Sequence, residues 1–118
     1  MRPPIHVLPA LVATAIATAS SAAAADRPIR FWNLTLHTIS DFRLAPAGTT
    51  SWGDNQCKND KDGTVDSDER LRITDTPPGV YDAKLVDTTR RTCIVHNLKL
   101  EPGEIFSIEE KELTSCTQ

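Results

Sequence analysis

From residue 29 onward, apolar and polar positions alternate in short bursts separated by Pro, Gly, Asn and Asp. In residues 29–38, Trp32, Leu34 and Leu36 share one face and Asn33, Thr35 and His37 the other. A period of two carried by Trp and Thr predicts a half-buried strand. Residues 39–45 predict a second strand with Phe42 and Leu44 on one face, closed by Pro46-Ala47-Gly48. Residues 49–53 form a polar turn carrying Trp52. Residues 70–74 alternate again, with Leu71 and Ile73 inward. Pro77-Pro78-Gly79 turns the chain into a strand at 80–87 with Tyr81, Ala83 and Leu85 on one face. A tip at 88–91 leads to a return strand at 92–100, on which Ile94, His96, Leu98 and Leu100 align. After the turn 101–104, residues 105–109 give the last clear strand, and residues 109–113 a short helical turn. No segment keeps a helical period. Six to seven short strands with turns every eight to twelve residues predict an all-β, single-domain β-sandwich of immunoglobulin or prealbumin type.

The start of the chain reads differently. Arg2 is followed by an apolar, alanine-rich stretch from Val7 to Ala19 and by small residues up to Ala25. This is the grammar of a cleaved signal peptide covering residues 1–25. The stretch is too short and too alanine-rich to anchor the chain in a membrane. The domain is then 26–118, and the destination is the periplasm or the exterior. The formal net charge is −3, and loss of Arg2 with the leader makes it one unit more negative. That balance argues against nucleic acid or an anionic membrane as partner.

One stretch collects chemistry, the acidic loop 54–69. Its core, residues 58–69, reads K-N-D-K-D-G-T-V-D-S-D-E. An EF-hand loop of twelve residues sets oxygen ligands at positions 1, 3, 5, 7, 9 and 12 around a glycine at 6. Here those positions are Asp60, Asp62, Thr64 (through its carbonyl), Asp66 and Glu69, with Gly63 at the sixth. The loop resembles the calcium loops of EF-hand and dockerin proteins, and the resemblance implies Ca²⁺ as the candidate ion. It departs at position 1, where Lys58 cannot ligate, and its flanks are turn chemistry rather than helices. Asp62-Gly63 is also an ordinary turn dipeptide, so a solvated acidic loop is the competing reading.

Two further resemblances bear on fold. The run Pro77-Pro78-Gly79-Val80-Tyr81-Asp82 followed by Leu85 is similar to the strand start of prealbumin-like and carboxypeptidase-regulatory-like sandwich domains. Asn33-Leu34-Thr35, Thr38-Ile39, Ser51-Trp52-Gly53 and the C-terminal cysteine together resemble small exported bacterial β-sandwich proteins. That second resemblance implies compartment and fold only.

The leader has no cysteine, so Cys57, Cys93 and Cys116 all face an oxidising compartment. Three cysteines allow one bridge. Loop entropy gives ~3–4 kcal/mol for any pairing and does not choose. Cys93–Cys116 is the expected bridge, leaving Cys57 available at the loop for intermolecular pairing; Cys57–Cys116 is the alternative. His37 and His96 show no metal-ligand spacing.

No nucleophile elbow, phosphate loop or H-E-x-x-H motif is present. The expected role is an exported, non-enzymatic β-domain with a structural or interaction function, its acidic loop stabilised by Ca²⁺. The alternative is a metal-free module that grips a protein partner with a sheet edge or loops. A small hydrolase is the remote third reading.

Overall fold

Phe31 and Phe42 fix the architecture. Their rings stack with centroids 4.2 Å apart and planes 11° from parallel, and Phe106 closes the cluster 5.5 Å from Phe31. Phe31 and Phe42 are on different sheets, so this contact is the seam of a sandwich. The computed structural model describes residues 2–5, 9–11, 13 and 27–118. The expected cleavage after Ala25 and most of the leader lie outside the described residues.

The strands are β1 (Arg30–Leu34), β2 (Ile39–Pro46), β3 (Arg70–Arg72), β4 (Gly79–Asp87), β5 (Thr92–Leu100), β6 (Ile105–Glu109) and β7 (Cys116–Thr117). Short 3₁₀ turns occupy Gln56–Asn59 and Glu110–Glu112. One sheet has the order β3-β1-β6, the other β2-β4-β5-β7. β1 pairs antiparallel with β3 but parallel with β6. The second sheet is antiparallel throughout. The fold is therefore all-β, two sheets face to face, as the alternation predicts. Ile39, Leu71, Leu85, Leu100, Ile108 and Val65 fill the space between them.

Two strand faces differ from the expectation. In β1 the inward residues are Phe31 and Asn33, with Thr35 just beyond, whereas Leu36 is 72% exposed. The inversion has a physical cause. Phe31 gains the aromatic seam, and the polar pair behind it satisfies itself, with the Thr35 hydroxyl donating to Asn33 Oδ1 at 2.7 Å. In β5 the expected stripe of Ile94, His96, Leu98 and Leu100 is broken. Cys93 and Val95 point inward, then a bulge opposite Asp82 resets the face so that Leu98 and Leu100 reach the core. Asn97 takes φ 60° there, in the left-handed region that Asn tolerates.

The bulge is held by a buried carboxylate. Asp82 accepts from the Gly48 and Asn97 backbone N–H groups at 3.0 and 3.1 Å, and its Oδ2 lies 3.2 Å from His96 Nδ1. The Gly48 hydrogen bond leads the effects that lower its pKa. His96, expected in the apolar stripe, is thus an exposed imidazole against a buried acid.

A second clamp joins the sheets. Asp87 accepts from the Thr89 hydroxyl and backbone N–H, and from the Arg91 backbone and Nε. Arg91 in turn forks onto Glu110 at 2.8 and 3.2 Å, and Glu110 accepts the Leu36 N–H. Burial is the largest single influence on Asp87 and raises its pKa, but the hydrogen bonds together outweigh it and the net shift is downward. Glu110 is lowered chiefly by Arg91. Both carboxylates bind protons more weakly folded than unfolded. Their contribution is complete above the ordinary values of 3.8 and 4.5 and is lost as pH falls through the lower folded values. Thermal midpoints should therefore fall steeply below about pH 4. In Asp87→Asn the acid-side slope should flatten, and an unchanged slope would remove the clamp from the account.

Candidate functional site

The acidic loop is bolted to both sheets by amides. Asn55 Oδ1 accepts the Phe42 and Cys57 N–H groups, and its Nδ2 donates to the Ser40 carbonyl, so one side chain closes the free edge of β2. Gln56 does the same beyond β3, accepting the Thr74 N–H and donating to the Thr74 carbonyl. Asn59 reaches the Arg72 carbonyl at 2.8 Å. These three amides do what a paired strand would do. Between them Cys57 drops into the core with no exposed surface.

Further along, Val65 is buried and exchanges backbone hydrogen bonds with Ile39. Asn33 supports it from below, with Nδ2 donating to the Val65 and His37 carbonyls at 3.0 Å each. Gly63 sits at φ 74°, the left-handed turn its place in the loop demands. Polar atoms are spent holding this frame; among the described residues no fully buried side-chain nitrogen or oxygen lacks a partner.

The five candidate ligands are distributed unevenly on this frame. Asp60 and Glu69 are linked in their titration: the side-chain interaction between them is the leading influence on both, raising the pKa of Glu69 and lowering that of Asp60. Asp60 Oδ1 also accepts the Asp62 N–H at 2.8 Å, and Glu69 Oε2 the Asp66 N–H at 3.3 Å. Asp62 itself is exposed. Asp66 turns toward the Thr38 hydroxyl, which donates to it at 3.0 Å. Thr64 is half-buried at the turn. Lys58, at the first loop position, swings away to pair with Asp54 at 2.9 Å. Among the described residues no three carboxylate, imidazole or thiol groups are arranged to hold a metal. The pair Asp60 and Glu69 supplies hard oxygen ligands of the type Ca²⁺ takes, out of the six to eight it needs.

Cys93 and Cys116 are bridged, as expected, across paired positions of β5 and β7. Such a bridge is compatible with a non-cytosolic setting. No helix among the described residues is long and apolar enough to cross a membrane. The expectation for Cys57 is corrected. Its thiol is fully buried, near the Ile39 carbonyl, and burial first, then the fields of Asp41, Asp60 and Glu69, push its pKa up to about 12. It is closed both to Cys116 and to a second chain. Native protein should leave a thiol reagent unreacted, while the denatured, non-reduced chain should take up one equivalent; rapid native labelling would contradict the packing.

The pattern of polar and apolar residues did not reveal Asn33, Asn55, Gln56 or Asn59. Amides in loops carry no periodicity, and their partners are backbone groups far away in the chain. No protein-family model matches this chain, and comparisons with curated proteins and with solved structures return no match.

Proposed function

We propose that the chain is an exported, non-enzymatic β-domain with a structural or interaction role, working in the periplasm or outside the cell, and that its acidic loop takes up a calcium ion. The observation that carries the reading is the way the loop holds its two acids, with Asp60 Oδ1 accepting the Asp62 N–H and Glu69 Oε2 the Asp66 N–H on either side of the turn at Gly63. The pKa of Glu69 is raised from its ordinary value first by its hydrogen bond with Asp60 and then by burial, and the repulsion of the Asp60 and Asp66 charges adds to this. A divalent cation relieves that repulsion without moving the frame, because Asn55, Gln56, Asn59 and Asn33 already fix both ends of the loop. Asp60 and Glu69 would hold the ion, with water completing its shell. Few protein ligands and an open site correspond to an extracellular-type affinity, with Kd roughly 10⁻⁴–10⁻³ M. At ten times that Kd the ion adds only ~1.4 kcal/mol, the scale of a staple rather than a switch.

Thermal unfolding in EDTA, Ca²⁺ and Mg²⁺ tests this. Calcium should raise the midpoint of the wild type. Glu69→Gln should melt higher than wild type in EDTA at neutral pH, because the repulsion is gone, and should no longer respond to calcium. The sign follows from the raised pKa: a carboxyl that prefers its proton when folded costs stability as pH rises through its folded value. Equal midpoints in every buffer, with Glu69→Gln indistinguishable, would reject the metal and leave a solvated loop.

One observation favours the metal-free protein-binding reading. β7 pairs with Thr92 and Cys93 of β5 and the Ser115 carbonyl takes the Ile94 N–H, so among the described residues the edge of that strand beyond Ile94 has no neighbouring strand. The bulge at Asn97 interrupts that edge and weakens its case as a template for an added strand.

A further inference from the structure

β6 is an outer strand of the three-stranded sheet, paired with β1 alone. The pairing is parallel, with Ile105 opposite Arg30 and the Arg30 N–H donating to the Glu104 carbonyl. That register turns the main-chain groups of Phe106 and Ile108 toward β1, and those of Ile105, Ser107 and Glu109 away from the sheet. Among the described residues no other strand meets them.

The other sheet edges are treated differently. Along β2, Asn55 takes the Phe42 N–H and the Gly53 N–H donates to the Leu44 carbonyl. Beside β3, Asn59 donates to the Arg72 carbonyl. β5 is covered at its start by β7 and bent by the bulge at Asn97. β6 has no bulge, proline or left-handed residue along its length, and Ile105 on its outer face is 42% exposed. A straight, unblocked edge is a template for another strand.

We propose that β6 pairs with β6 of a second copy of this chain, antiparallel about a two-fold axis at Ser107. The strand's own sequence decides the occupant. In this register Ser107 faces Ser107 of the second copy, and Ile105 faces Glu109 of the second copy. Every outward main-chain group of both strands then finds a partner, whereas a shift by two residues leaves an end residue of each strand unpaired. On the inner face, half-buried Phe106 falls opposite Ile108 of the second copy, so the two cores meet. No like charges are opposed. Glu109, the only charge within the strand, otherwise pairs with exposed Lys111. In the dimer it is carried toward Arg30 of the second copy, which lies beside Ile105 on β1 and enters no ion pair among the described residues. Two strand spacings, about 10 Å, separate their Cα atoms, a gap that an arginine and a glutamate side chain span by lying over Ile105. A strand of unrelated sequence would gain the hydrogen bonds without this matched row. Because both copies use the same edge, pairing closes at two chains. The inference gives the interaction role a partner and does not depend on calcium.

The test is analytical ultracentrifugation of the purified protein over a range of concentrations, in EDTA and in calcium. A mass that rises from one chain to two and stops there is expected, alike in both buffers. Ser107→Lys and Ser107→Glu each set like charges against each other on the two-fold axis and should weaken association on the order of tenfold or more. An equimolar mixture of the two should restore a dimer with one copy of each. Ser107→Pro removes an N–H that the single chain leaves unused, and should also weaken the dimer. Thermal midpoints check that each variant folds. A wild type that stays single at every concentration, assembly beyond two chains, association unchanged by the Ser107 variants, or no recovery on mixing would overturn the proposal. The calcium response of the thermal midpoint is read on the same samples, so failure here and failure of the metal reading are separately visible.

Discussion

Replacing Asn33 with leucine is expected to cost about 3–4 kcal/mol, more than any exposed change in the acidic loop itself. The side chain has no exposed surface and makes four hydrogen bonds: two donated, to His37 and Val65, and two accepted, from the Thr35 N–H and hydroxyl. Leucine preserves volume and removes all four; the Thr35 N–H is left without a partner, while the Val65 carbonyl keeps the Ile39 N–H and the His37 carbonyl keeps the Thr35 hydroxyl. One unsatisfied buried donor costs about 1–3 kcal/mol, and each of the other lost hydrogen bonds adds roughly 1 kcal/mol. In a domain this size that corresponds to a fall in the thermal midpoint of roughly 12–32 °C. Urea unfolding gives the free energy directly. A cost below about 1 kcal/mol would mean that Asn33 is an incidental buried amide.

The disulfide gives the second large effect. Cys93 and Cys116 are 23 positions apart, and opening a loop of that length should lower stability by about 3 kcal/mol. The double variant Cys93→Ser/Cys116→Ser should therefore unfold at clearly lower urea than the oxidised wild type. Reductant should bring the wild type close to the variant and leave the variant unmoved. Cys57 supplies an internal control, because its buried thiol is reduced in both. Identical unfolding curves with and without reductant would show that β7 contributes nothing once bridged.

Strand positions were readable because turns at Pro46-Ala47-Gly48, Pro77-Pro78-Gly79 and Glu101-Pro102-Gly103 bound runs with a period of two. The last strand to be found, β7, has two residues and is defined by its bridge rather than by pattern. Which face turns inward was less legible. In β1 the apolar count favoured Trp32, Leu34 and Leu36, yet Phe31 with two self-satisfying polar residues occupies the core. Hydrophobicity ranks single residues, whereas burial is decided by what each atom can pair with once inside. In β5 a single residue at Asn97 shifted the phase, and no pattern announces a bulge whose partner is a carboxylate on another strand. The acidic loop was legible as a loop and as a set of spacings. Its geometry was not, since the link between Asp60 and Glu69 depends on where Asn33 and Asn55 hold its ends.

The parallel pairing of β1 with β6 sets the order in which the molecule can assemble. β2, β4 and β5 make antiparallel pairs, and β4 and β5 are joined by a tight hairpin, so that sheet can begin to form early. β1 sits between β3 and β6, and β6 lies near the chain's end. The first strand therefore waits, with one edge bare and Phe31 without its full seam, until nearly the whole chain is present. Pairings so distant in sequence are slow to form. Closure of the three-stranded sheet thus depends on residues 105–109 reaching residues 30–34, the most distant strand pairing of that sheet.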